Sequence, residues 1–92
     1  MPTYLVERYL PGRDRAWLEE ALARLPQEQD GVRYLGSTYI PEDESCFCRF
    51  EASDVEDVRL VNELARVPFA RITATTELAA TQPGLDTEGV SS

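Results

Sequence analysis

Two hydrophobic periods alternate along this chain. Residues Tyr4-Leu5-Val6-Glu7-Arg8-Tyr9-Leu10 are rich in strand formers and run into Pro11-Gly12, a turn signal. From Asp14 the period lengthens. Trp17, Leu18, Ala21, Leu22 and Leu25 fall on one stripe of an amphipathic helix, which Pro26 stops. Glu19, Glu20 and Arg24 lie off that stripe and are left to solvent. Gln27 to Gly31 is a polar loop. Val32 to Ile40 is a second strand, with Gly36 marking a bulge or a close backbone approach. Pro41-Glu42-Asp43-Glu44 is a hairpin loop, and Ser45 to Glu51 is a third strand, antiparallel to the second. Ser53-Asp54-Val55-Glu56 has the form of a capping box with Ser53 as N-cap. It opens a second amphipathic helix on Val55, Val58, Val61 and Ala65, which Val67-Pro68-Phe69 ends. Ala70 to Leu78 is a fourth strand, rich in threonine.

The order β-α-β-β-α-β specifies an α+β, ferredoxin-like sandwich: a four-stranded antiparallel sheet with two helices on one face. Residues 1–78 form that single domain. Residues 79–92, polar and without period, form a disordered acidic tail. The second face of the sheet has no helix left to cover it. A second copy is the simplest cover, which makes a homodimeric α+β barrel with a cavity between the two sheets.

Charge and composition narrow the function. The chain has 92 residues, a formal net charge of −8 and no histidine, and all nine of its basic residues are arginine. Without imidazole, Ser-His-Asp and Cys-His catalysis and His-ligated metals are excluded. The acidic balance argues against nucleic acid. Most of it comes from residues 42–57, where seven acids face one base, Arg49. No apolar run is long enough to span a membrane, and the N-terminus lacks the pattern of a signal peptide, so the expected setting is the cytoplasm. Cys46 and Cys48 stand two apart on a strand, with Cα atoms ~6.6 Å apart, at the long edge of disulfide geometry; reduced thiols are expected.

The segments Tyr4-Leu5-Val6-Glu7-Arg8-Tyr9, Gly31-Val32-Arg33-Tyr34-Leu35-Gly36-Ser37, Cys46-Phe47-Cys48-Arg49-Phe50-Glu51-Ala52 and Val67-Pro68-Phe69-Ala70-Arg71-Ile72 resemble the DUF4242 family. These are small ferredoxin-like proteins of actinobacterial type, also called nickel-responsive or nickel-binding. The resemblance covers about residues 2–78. It implies a ferredoxin-like homodimer that binds nickel, a divalent ion that prefers nitrogen and sulfur donors. With no imidazole present, the sulfurs of Cys46 and Cys48 are the candidate metal ligands, and no organic cofactor is expected.

Strand alternation sorts the remaining candidates. Val6, Val32, Tyr34, Cys46, Cys48, Phe50, Ile72 and Ala74 fall on an apolar face, under the helices. Glu7, Ser37, Tyr39, Phe47, Arg49, Arg71 and Thr73 fall on a mixed face that would line the dimer cavity. Two functions follow. The first is a binding protein for a metal ion or small ligand. The second is a cofactor-free enzyme of cyclase, isomerase or monooxygenase type, with Glu7, Tyr39, Arg49 and Arg71 as its catalytic residues. If those charges pair with one another, they instead fix the register of a dimer.

Overall fold

The fold is described for residues 1–80 in a computed structural model. Its elements are β1 (Thr3–Tyr9), α1 (Arg15–Leu22), β2 (Glu28–Gln29), β3 (Val32–Ile40), β4 (Ser45–Glu51), α2 (Val55–Leu64) and β5 (Arg71–Thr75). The strands form one antiparallel sheet in the order β2-β3-β4-β1-β5. The expected tail lies, for residues 81–92, outside the described residues. Among the described residues no helix is long and apolar enough to cross a membrane.

The sheet has five strands where four were expected. The additional one, β2, falls in the polar loop. Asp30 and Gly31 both take positive φ, 53° and 79°. This is the two-residue hairpin turn whose twist matches paired strands. It sets Gln29 opposite Val32 and Glu28 opposite Arg33. The Asp-Gly pair was therefore the signal for a strand that hydrophobicity could not show.

The other boundaries shift for local reasons. Helix α1 ends at Leu22, but the chain then tightens: Arg24 N–H donates to the Ala21 carbonyl and Leu25 N–H to the Leu22 carbonyl. Leu25 is thereby still delivered to the core. At α2 the N-cap is Asp54, not Ser53; its carboxylate accepts from Glu56 N–H at 3.4 Å. Ala52 remains tied to the sheet through the Pro2 carbonyl, so the chain leaves one residue later than the capping box implied. Strand β5 stops at Thr75, not Leu78, because Thr75 pairs with Thr3, the first residue of β1.

One cluster of buried residues makes the core. Tyr4, Val6, Cys46, Cys48 and Phe50 supply it from the sheet, Leu18 and Ala21 from α1, and Val58 and Val61 from α2. Both helices therefore cover one face of the sheet, and among the described residues no element covers the other.

Candidate functional site

A β-bulge decides which side chains meet. The β3–β4 register slips between Tyr34, opposite Phe50, and Gly36, opposite Arg49. Gly36 makes this slip with φ 139°, where a side chain is strained. Beyond the bulge every residue of β3 changes face. Ser37 then pairs with Cys48, and Tyr39 with Cys46. Tyr39 thus leaves the mixed face to which simple alternation assigns it and joins the helix side. The four candidate catalytic residues are split between the two sides of the sheet.

The helix side also holds a charge. Arg8 shares the parity of Tyr4 and Val6 on β1 and is 1% exposed. All three of its side-chain nitrogens are used. Nη2 donates to Asn62 Oδ1 at 2.5 Å, and Nη1 to the carbonyls of Val67 (3.3 Å) and Pro68 (3.1 Å). Nε donates to the sulfur of Cys48 at 3.3 Å. Among the described residues no carboxylate pairs with it.

The end of α2 builds the acceptors. Asn62 is fully buried, and its amide donates to the Val58 carbonyl one turn back, leaving Oδ1 turned to Arg8. Arg66 takes φ 59°, and Val67 N–H reaches back to the Asn62 carbonyl while Arg66 N–H reaches Glu63. That is a Schellman ending made without glycine. Arg24 holds it from outside through the carbonyls of Ala65 and Arg66, both at 2.8 Å. The next two carbonyls, of Val67 and Pro68, are the ones that receive Arg8. Alternation carried the signal for Arg8, but a charge at a core position is explained only by partners 40 to 60 residues away.

Donors converge on the sulfur of Cys48. Besides Arg8, the Ser37 hydroxyl donates at 2.8 Å, and Cys46 Sγ lies 3.9 Å away. Ser37 spends its one proton on Cys48, so the short Tyr34–Ser37 bond is donated by Tyr34. Tyr34 stacks on Phe50, with ring centroids 5.1 Å apart. Burial pushes the Tyr34 phenol up, so it keeps its proton. The hydrogen bond from Cys46, then the charge of Arg8 and the Ser37 hydroxyl, outweigh burial and bring the Cys48 thiol down to about 6. The same bond, with burial, pushes Cys46 up. The two shifts run in opposite directions, so Cys48 is the member of the pair that gives up its proton first. Both are free and fully buried.

A cleft of about 390 Å³ opens over Cys46 between α1 and the β3–β4 hairpin. Cys46 and Ser37 line its floor, Leu18, Leu22, Tyr39 and Pro41 its walls, and Arg15 and Glu19 its rim. The rim residues form an exposed ion pair at 2.9 Å.

On the bare face, Glu7 and Arg71 lie opposite one another and pair at 2.5 Å. Arg33 and Glu51 pair at 3.3 Å. Arg49 folds across Gly36, where a Cβ would stand 2.7 Å from its Nη2. Glu7 with Arg71 and Arg33 with Glu51 are thus engaged, while Arg49 donates to Thr38 Oγ1 at 3.5 Å, and among the described residues no group of three or more His, Cys, Asp or Glu could hold a metal ion.

Comparison with known proteins fits this architecture. A solved structure, that of SCO4226 from Streptomyces coelicolor A3(2), shares the fold with a TM-score of 0.72 at 18% identity. The match covers 84% of this chain and 99% of that one. No curated protein matches the sequence. The family described as "Nickel responsive protein SCO4226-like" matches residues 4–74, which span every strand but the ends of β1 and β5, both helices, and the whole Arg8–Cys48 network. The chain belongs to this SCO4226-like, nickel-responsive family, as its DUF4242-type segments implied.

Proposed function

We propose that the chain is a ferredoxin-like, non-catalytic binding protein. It works as a homodimer through the bare face of its sheet and takes a small ligand in the cleft over Cys46 and Ser37. The observation that carries this reading is the cleft itself. At about 390 Å³ it lies within the usual range of small-molecule sites, with apolar walls and two polar groups on its floor. A second copy suits the bare face because partly buried Leu5 and Phe47 lie there among charges of both signs, and a two-fold axis sets such a pattern against itself. The cytoplasm is the setting in which Cys46 and Cys48 stay reduced.

Nickel is the ion the family description names, and it fits poorly inside one copy. Among the described residues no third His, Cys, Asp or Glu groups with the two thiol sulfurs, and Cys48 already faces the cation of Arg8 at 3.3 Å. Catalysis by Glu7, Tyr39, Arg49 and Arg71 gains no support, because Tyr39 is on the other side of the sheet and Glu7 is held by Arg71.

Light scattering on the tag-free protein should give twice the chain mass of 10.4 kDa at micromolar concentration. Fragment screening by nuclear magnetic resonance should move the signals of Leu18, Leu22 and Tyr39. Leu22→Trp, which fills the cleft, should abolish those shifts. Fragments that gather on Leu5 and Phe47 instead would place the ligand between the sheets and overturn the assignment to the cleft.

A further inference from the structure

We infer that Cys46 and Cys48 form a two-coordinate site for a soft monovalent cation, copper(I) or silver(I), with Arg8 as its buried counter-charge. The inference rests on the cleft only for the ion's way in.

Charge selects the valence. Arg8 is a permanent cation, 1% exposed, with two carbonyls, one amide oxygen and one sulfur around it and no carboxylate. A buried cation needs one compensating negative charge. A bis-thiolate complex of a monovalent ion carries one negative charge, so complex and guanidinium together are neutral. A divalent ion on the same sulfurs gives a neutral complex and leaves Arg8 uncompensated. It also asks for further ligands, and the described residues offer no third donor of the usual kind. Nickel(II) fails on both counts. Thiolate ligands select copper(I) on softness as well.

Geometry agrees with a coordination number of two. Both side chains leave β4 on the same face, and their sulfurs are 3.9 Å apart. An ion at the midpoint would stand half that distance from each sulfur, a few tenths of an ångström inside the ~2.3 Å of a metal–thiolate bond. A small rotation of Cys46, which borders the cleft, supplies the difference. Cys48 needs no rearrangement: Arg8 Nε and Ser37 Oγ are already aimed at its sulfur and continue to donate to it as a metal thiolate. Binding is a ligand exchange without electron transfer. The ion enters, each sulfur that still carries a proton releases it to water, and two metal–sulfur bonds form.

The test uses full-length, tag-free protein, reduced and kept free of oxygen and chloride. Copper(I) is presented in competition with a bathocuproine chelator, and silver(I) serves as a redox-inert probe. The expected result is one ion per chain by native mass spectrometry, with the ultraviolet charge-transfer absorption of metal-bound thiolate. Cys46→Ser and Cys48→Ser should each weaken binding by roughly 100-fold or more, since a hard hydroxyl replaces a soft donor. Circular dichroism confirms that each variant is folded. Excess nickel(II) should neither produce that absorption nor displace copper(I). Three outcomes would overturn the site: copper(I) left with the chelator, one equivalent still bound by folded Cys46→Ser, or nickel(II) taken up by the same two thiols. Fragment binding in the cleft is read by different signals, so the failure of one reading is distinguishable from that of the other.

Discussion

Glu7 and Arg8 are neighbours on β1, yet they belong to two different kinds of electrostatics. On the bare face Glu7 meets Arg71, a carboxylate with a guanidinium, and the side chain of Arg71 remains 70% exposed. On the helix side Arg8 meets a sulfur, an amide and two carbonyls, with water excluded. The first pair is screened and adds little. The second is unscreened, and each of its bonds replaces a solvation shell that Arg8 has lost. The same residue type thus sets a surface pattern on one face of a sheet and organises the core on the other.

The largest effect that separates the two faces is expected at Arg8. Arg8→Met keeps much of the volume but strands Asn62 Oδ1, the buried Val67 carbonyl and the part-buried Pro68 carbonyl, and should cost about 3–5 kcal/mol by urea unfolding. A loss no larger than that of a surface substitution would mean that the buried guanidinium is inert.

The next difference is pH dependence. The folded Cys48 thiol titrates at about 6, below its ordinary value of 9.0. Between those values the unfolded chain holds more protons than the folded one, so stability rises with pH. This contribution is complete above pH 9, falls as the pH drops, and is gone below about 6. Cys46 is shifted the other way and lowers stability above 9. Unfolding midpoints under reductant should therefore climb from pH 6 to 9 in the native protein and climb less in Cys48→Ser. Parallel slopes in the two proteins would remove the thiolate from Cys48.

Gly36→Ala tests the bulge that links the faces. Its φ of 139° is unfavourable for alanine, and the new Cβ would press on Arg49 Nη2. The arginine can move and the backbone strain cannot, so a cost of about 1–3 kcal/mol is expected. The smallest effect belongs to the bare face. Glu7→Gln should change the stability of one copy by less than about 1 kcal/mol. If the two sheets meet, the same variant should shift the dimer's dissociation more than its unfolding, which dilution series by light scattering would resolve.

The order of strands and helices was legible in the chain because each long element carries its own period. Strand alternation also placed Val6, Cys46, Cys48 and Phe50 on the buried side. Short-range chemistry was harder to see. Strand β2 is polar throughout and exists because Asp30-Gly31 turns the chain, so its signal was in the turn rather than in the strand. Ser53 and Asp54 are both good caps, and the hydrogen bond of Ala52 to Pro2 chose between them. Tyr39 changed sides because the bulge slips at Gly36, a position where the sequence announced an irregularity without its direction.

The residue pattern alone carries the α+β class, puts both thiols on the apolar face and, through the absence of histidine, leaves sulfur and oxygen as the side-chain metal donors. It takes the folded chain to bring Cys48 against Arg8. That meeting joins β1, β4 and the end of α2 across separations of 40 to 60 residues. No local pattern encodes it, because a buried charge is specified by whatever compensates it, and that partner can come from anywhere along the chain.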